Sequence, residues 1–350
     1  MSARDQPLRI VSIGGGTGLS ALLQGLKKYG RPFAGVDGLP AGPLADITAI
    51  VTVTDDGGSS GRLRRDFEVL PPGDIRNCMV ALSEDATLLA RLFQYRFQSG
   101  VGLKGHSFGN LFLTALTRIT GDFHEAVKVS SEVLRIVGSI YPATATDVIL
   151  EAILENGRRV VGETKITKSR SPVRKIRLRP AHCLPLPEAL QAIANADLIT
   201  LGPGSLFTSV IPNLLVDGIS EALRKSDATK AYFVNLMWQP GETMNYRASD
   251  HVRAIYNHAG PGLLDYAVVN TTLVRPSLRR KYARQEVSPV EVDLEELNGL
   301  GVEVVSAKLL HESAKVRHDP AAVAAVAMRL ASKGRRRRQN EARRPLWKRN

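Results

Sequence analysis

The sequence predicts an α/β protein of Rossmann-like type: a mainly parallel sheet with helices on both faces and a small β-rich insertion. Three observations predict it. Short β-branched runs alternate with stretches of helical apolar spacing along most of the 350 residues. Two of those runs end in glycine turns that open directly into helices. The hydrophobic share of 43% and charged share of 23% are those of an ordinary globular chain, long enough to bury a large core.

The first unit is "IVSIGGGTGLSALLQGL", residues 10–26. Ile10, Val11 and Ile13 read as a buried strand, and Leu19, Leu22, Leu23 and Leu26 recur at helical spacing. Gly14, Gly15 and Gly16 therefore form a strand-to-helix turn, with Thr17, Gly18 and Ser20 at the helix start. A helix N-terminus presents unpaired N–H groups that suit a phosphate, and glycine allows both a tight turn and close ligand approach. A tight turn with no ligand is the plain alternative. The dinucleotide fingerprint is matched by Gly14 and Gly16 but has Leu19 at its third glycine, and no Gly-Lys-Ser/Thr follows.

After a Gly- and Pro-rich loop, "DITAIVTVT" reads as a second strand. It ends at Asp55 and Asp56, followed by Gly57, Gly58, Ser59 and Arg62. Carboxylates there can bind a ribose hydroxyl, hold Mg²⁺ through water or act as a base; a capped polar turn is the structural alternative. Gly57, Gly58 and Ser59 with Arg62 can embrace an anion. Residues 74–138 read as helices. One starts after two prolines at Asp74, Arg76 and Asn77, where Asp74 is also a natural N-cap. Another follows His106 and Ser107 and carries Gly109 and Asn110, where Gly109 can serve helix packing and His106 the core.

"ATDVILEAILENGRRVVGETKI" alternates as a hairpin with Asn156-Gly157 at its turn. A basic connector, "KSRSPVRKIRL", follows, and residues 140–185 are the candidate subdomain. The α/β rhythm resumes at "LITLGPGSLFTSV", where Gly202 and Gly204 precede Ser205 in a second strand-turn-helix unit. "KAYFVNLM" puts Asn235 at a strand end, with Glu242 and Thr243 in the next loop. "SDHVRAIYNHA" reads as a helix and "DYAVVN" as a strand.

Net charge is +13, yet residues 333–350 alone hold nine Lys/Arg and one Glu. Behind the helix-like "PAAVAAVAMRLAS", that run predicts a disordered basic tail, free to touch an anionic partner and removable without loss of stability. The nucleotide-binding domain is then residues 1–332. No apolar run reaches the roughly 18 residues of a membrane span, and the first residues lack a signal-peptide core. Cys78 and Cys183 have no disulfide or metal-ligand pattern, so a reducing cytoplasm is expected. No motif of a hydrolase or metalloprotease occurs. What accumulates at strand ends is the Gly, Asp, Asn, Ser and Thr of nucleotide-handling proteins.

In this order, GGGTGL, TVTDDGGSSGRLR, PPGDIRN, GHSFGNLFL, LGPGSLFTSVIPNLL and NLMWQPGET resemble the YvcK-type gluconeogenesis factors, within the superfamily of 2-phospho-L-lactate transferase (CofD-like). The resemblance spans about residues 8–330 and leaves out the basic tail. It implies a Rossmann-like fold and a cytoplasmic bacterial protein that serves growth and cell shape on gluconeogenic carbon sources. It also implies binding of UDP-sugars such as UDP-N-acetylglucosamine. The transferase relatives move a phospholactyl group onto a deazaflavin using Mg²⁺; no stretch here matches a deazaflavin pocket.

Two readings stand beside each other. One is a nucleotide-sugar-binding regulator without turnover or catalytic residues, requiring no cofactor, with Mg²⁺ at most accompanying the diphosphate. Its partners would be proteins of cell-wall or carbon regulation. The other is a Mg²⁺-dependent phosphoryl-type transferase with Asp55, Asp56 and Asp74 as metal ligands. NAD(P) binding is a third option, and self-association stays open.

Overall fold

The computed structural model describes residues 6–31, 44–83, 88–169 and 171–342; most of the Gly/Pro-rich loop and residues 343–350 lie outside them. β1 (Leu8–Gly14) leads into α1 (Gly16–Gly30) and β2 (Ala45–Val51). The predicted helical block follows as α2 (Gly58–Phe67), α3 (Gly73–Leu82), α4 (Leu88–Gln94), α5 (Phe108–Thr120) and α6 (Phe123–Val133). The chain returns to the sheet in β3 (Ser139–Pro142). The insertion comprises β4 (Ile149–Leu154), β5 (Arg159–Val161), α7 (Glu163–Thr167) and β6 (Val173–Arg179).

The second half opens with α8 (Pro187–Asn195) and β7 (Leu198–Leu201). A π-helical turn, Leu206–Val210, passes into α9 (Ile211–Leu214) and then α10 (Ile219–Lys225). Next come β8 (Thr229–Phe233), α11 (Ala248–Ala259), β9 (Tyr266–Asn270), α12 (Pro276–Ala283) and α13 (Leu294–Gly299). β10 (Glu303–Ala307), the hairpin β11 (Leu310–Glu312) and β12 (Val316–His318), and α14 (Pro320–Ala342) complete it.

The main sheet has the order β10-β9-β8-β7-β1-β2-β3, and every neighbouring pair is parallel. β1 is central, with Ile10 beside Ile47 on one side and Leu198 on the other. Ile10, Val11 and Ile13 are buried, as a strand covered on both faces requires. The winding direction reverses between β1 and β7, which leaves a crevice at their carboxyl ends. Both glycine turns lie at that end. Among the described residues no single helix is long and apolar enough to cross a membrane.

Two expectations need correction. The supposed connector is largely β6, antiparallel to β4, with Val173, Ile176 and Leu178 buried between exposed cations. Its alternation was masked by the density of Lys and Arg. β3 belongs to the main sheet, so the small antiparallel sheet, ordered β5-β4-β6, starts at residue 149 rather than 140. The Asn156-Gly157 turn does join β4 to β5.

The second correction concerns the basic tail, whose first ten residues continue α14 as regular helix. Arg335 and Arg338 both reach Asp197, at 2.5 and 3.3 Å, and Asp197 is only 3% exposed. Arg337 meets Asp265 at 3.1 Å. Arg335 also donates to the carbonyls of Gln6 and Pro7. Asp197 and Asp265 immediately precede β7 and β9, and each accepts a further backbone N–H, from Arg9 and Lys230. Composition alone shows the cations and not these distant partners.

Breaking a buried ion pair from one side costs about 3 kcal/mol or more. Arg335→Ala is therefore expected to lower stability by ~3 kcal/mol, and truncation after Ser332 by more. Urea unfolding followed by circular dichroism checks both, and unchanged midpoints would restore the disordered-tail reading.

Candidate functional site

The two glycine turns interlock at the crevice. A side-chain carbon at Gly18 would lie 2.5 Å from the Pro203 carbonyl oxygen, and one at Gly15 2.5 Å from the Asp74 carboxylate. These two glycines are thus required by protein packing, whatever binds there. Gly16 differs: its φ is +64° and its nearest neighbour would be the Ser209 hydroxyl at 3.6 Å, so its missing side chain leaves the cleft open. At Gly14 a side-chain carbon would meet nothing closer than 3.8 Å. Gly202, with φ +71°, donates its N–H to the Ile13 carbonyl, and Gly204 lies against the Gly15 carbonyl.

A cleft of about 380 Å³ opens at this junction, and Gly15, Gly16, Thr17, Gly18, Gly204, Ser205 and Asn235 all line it. Its far wall is Leu236 to Pro240, and its rim is Arg317 and His318 of the β11–β12 hairpin. Asn235 donates to Gln239 at 2.7 Å and Gln239 donates to Ser205 at 2.6 Å, so the wall is braced to the second turn. The Asn235 Oδ1 is buried and accepts no hydrogen bond from the protein. A second groove of about 840 Å³ runs along α1 and shares Thr17, Ala21, Arg317 and His318 with the cleft; Asn77 lines it. The N-terminus of α1 thus stands between two chambers, with the first N–H of the helix, that of Gly16, taken by Asp74.

Carboxylates gather behind the first turn. Asp74 accepts the Gly16 N–H; burial, and after it the Asp55 charge, pushes its carboxyl up to about 6. Glu242 accepts from the Phe207 N–H and the Thr208 hydroxyl at 3.2 and 3.3 Å, and burial raises it to about 7. Glu163, at the start of α7, is pushed well above the usual carboxylate range by burial and then by Asp74, Asp55, Glu242 and Asp56. Glu163 lies in a stretch that reads as a strand, which is why sequence reasoning passes over it.

Asp55 and Asp56 diverge. Asp55 accepts the Gly57 N–H at 2.8 Å on the Asp74 side, while Asp56 accepts both the N–H and the hydroxyl of Thr164, at 2.8 and 2.6 Å. Asp56 anchors the insertion. Among the described residues no three His, Cys, Asp or Glu side chains are placed to hold a metal ion together, so Asp55, Asp56 and Asp74 are not a three-ligand set. Asp55 and Asp74 are two hard oxygen donors at a place where their charges repel, which fits Mg²⁺ held with ligand phosphates and water.

The remaining predicted residues form a polar lattice between helices. Ser59 bonds His106 Nδ1 at 3.0 Å, and Asn110 donates to Ser60 at 3.4 Å. Arg76 spans Ser107 and Asn77, and Arg62 donates to the Lys104 carbonyl. His106 is 6% exposed, and burial first, then Arg62, depresses its basicity. Gly57 and Gly58 open α2 beside this lattice, with Gly58 at φ +46°. Thr243 is buried, accepting the Gln239 N–H. The cleft is therefore narrower than the sequence pattern: His106, Ser107, Asn110, Arg62 and Thr243 serve structure around it. Trp238 and Gln239, which border it, lie inside the NLMWQPGET motif, but sequence reasoning does not single them out; Arg317 and His318, which also border it, carry no motif.

Residues 10–310 match the family model described as 2-phospho-L-lactate transferase CofD. The chain belongs to this CofD family. A gluconeogenesis factor of Bacillus subtilis is 46% identical over 326 residues, covering 93% of this chain and 98% of that one. One from Halalkalibacterium halodurans is 47% identical over 315 residues, covering 90% and 94%. A crystal structure of a Bacillus halodurans protein superposes with a TM-score of 0.86 at 44% identity, over 93% of this chain and all of that one. Within the CofD family, the chain is accordingly a relative of the gluconeogenesis factors, as its six motifs imply.

The raised carboxyls set a pH dependence. Asp74 and Glu242 hold their protons more tightly when folded than when unfolded. Their favourable contribution is complete below the unfolded values near 4 and is lost as pH rises through about 6 to 7. Melting temperature without ligand should fall between about pH 4 and 7 by this route, and Asp74→Asn should flatten the fall; an identical slope in the variant would contradict it.

Proposed function

We propose that this protein is a cytoplasmic regulatory factor that binds a UDP-sugar of the UDP-N-acetylglucosamine kind without consuming it, supporting growth and cell shape on gluconeogenic carbon. The observation that carries the reading is the open Gly16 turn at the α1 N-terminus, set between two chambers at the β1–β7 switch point. A ligand of two lobes joined by a diphosphate suits that layout: the diphosphate on the helix N–H groups that follow Gly16, one lobe in each chamber. Arg317 supplies a cation at the shared rim, and the free Asn235 Oδ1 supplies an acceptor for a sugar or base donor.

Charge decides what can accompany the ligand. A diphosphate beside Asp74 and Asp55 meets like charge, so Asp55 and Asp74 would hold Mg²⁺ together with the phosphates. The ion would supply neutralisation of the phosphate charge. Asp74 then stays ionised and keeps its hydrogen bond from Gly16, orienting the turn.

Binding without turnover is favoured because Asp56 is committed to Thr164 and Glu242 to the backbone of the π-helical turn. Neither cysteine is a candidate nucleophile, since Cys78 and Cys183 are both buried and burial raises both thiols. The transferase reading draws on the match to the 2-phospho-L-lactate transferase family model and on the raised carboxyl of Asp74 behind the first turn, which would suit a proton acceptor.

Thermal shift with UDP-N-acetylglucosamine, GDP and NAD, each with and without Mg²⁺, separates the readings, followed by mass analysis of the recovered ligand. The expected result is a stabilisation largest for the UDP-sugar, with the ligand intact. Gly16→Val should abolish that shift while the protein remains folded. Release of UDP or UMP that Asp55→Asn prevents would overturn the non-catalytic assignment.

A further inference from the structure

We propose that the insertion is a docking surface for an extended acidic segment of a partner protein, bound along the outer edge of β5. Residues 149–179 hold nine Lys/Arg against three acids. Arg158, Arg159, Lys165, Lys168, Arg174, Lys175 and Arg177 are all exposed. Among the described residues only Arg179 of this set has a carboxylate partner, the buried Glu151. The arginines of α14 contrast with it, being occupied by Asp197 and Asp265. Cations held together without partners raise one another's potential, and an anion relieves it.

Three features select an acidic polypeptide among polyanions. Residues 149–179 contain no Phe, Tyr or Trp, so no platform exists for stacking the bases of a single strand. The outer face of the small sheet mixes cations with Ile149 and Val161, each 38% exposed; the register sets Ile149 opposite Arg179 and Arg177 opposite Glu151. That mixture fits a segment alternating acidic and apolar side chains. The surface is also concave, a groove of about 710 Å³ lined by Arg158, Arg159, Lys165 and Lys168, which suits a chain rather than a flat bilayer.

β5 is an edge strand in the order β5-β4-β6, so its outer backbone groups are available for strand addition. The surface is also tied to the cleft. Asp56 holds the start of α7 through Thr164, and Ser169 at its end donates to the Gly241 carbonyl, next to Glu242. The proposal does not depend on what the cleft binds.

The test uses the whole chain and a fluorescein-labelled peptide of alternating Glu and Val, read by fluorescence anisotropy. The paired variants Arg158→Glu with Arg159→Glu, and Lys165→Glu with Lys168→Glu, should each weaken binding about tenfold or more, with melting temperature unchanged because these side chains are exposed. A peptide N-methylated at alternate residues should bind about tenfold more weakly, since it cannot add as a strand. Peptide binding indifferent to charge reversal, or to N-methylation, would overturn the proposal. So would oligouridylate or phosphatidylglycerol vesicles binding the same surface as tightly as the peptide.

Discussion

The backbone contact between the two strand-turn-helix units governs this molecule. The Pro203 carbonyl fits against Gly18, and Gly204 against the Gly15 carbonyl, because no side chain intervenes. That contact draws the carboxyl ends of β1 and β7 together where the sheet reverses its winding. It fixes the starts of α1 and the π-helical turn relative to each other, and the cleft takes its shape from both. The wall from Asn235 to Pro240 then closes one side through Gln239 and Ser205. A larger residue at either interlocking position would separate the turns before it touched any ligand.

Around that junction the protein concentrates negative charge rather than positive. Asp74, Glu163 and Glu242 share one small region in which burial already opposes ionisation, with the Asp55 charge beside them. Such a cluster is costly in isolation and is moderated by specific donors: the Gly16 N–H to Asp74, and the Phe207 N–H and Thr208 hydroxyl to Glu242. Electrostatic balance at the site is therefore completed by protons or by a cation. The response of these carboxylates to pH follows from the same arrangement.

Much of the fold was legible because parallel strands buried on both faces leave continuous β-branched runs, and Ile10 to Ile13 and Leu198 to Leu201 are of that kind. The glycine turns were legible as a pair, since each stands between such a run and a helix. The reason for individual glycines was not: Gly15 and Gly18 answer to Asp74 and Pro203, far away in sequence or on the opposite unit. Local pattern likewise could not separate His106, which turns inward to Ser59, from residues that face the cleft. Glu163 and Arg317 carry no local signal at all, because each reaches the site through an element with its own, unrelated, apolar pattern. The basic run at 333–342 was misread for the complementary reason: its partners are single aspartates placed just before strands.

The α14 clamp bears on how the molecule is made. Arg335 hydrogen-bonds across 328 residues to Pro7, and β1 pairs with a strand whose leading Asp197 lies 188 residues beyond Arg9. Such separations give the fold a high contact order, and closing them is entropically expensive and slow. During synthesis α14 emerges after every strand of the sheet it covers, so β1 spends most of translation without its β7 neighbour or its covering helix. The first third of the polypeptide therefore leaves the ribosome with apolar strand surface still unpaired, an exposure that favours misassociation until the later strands arrive.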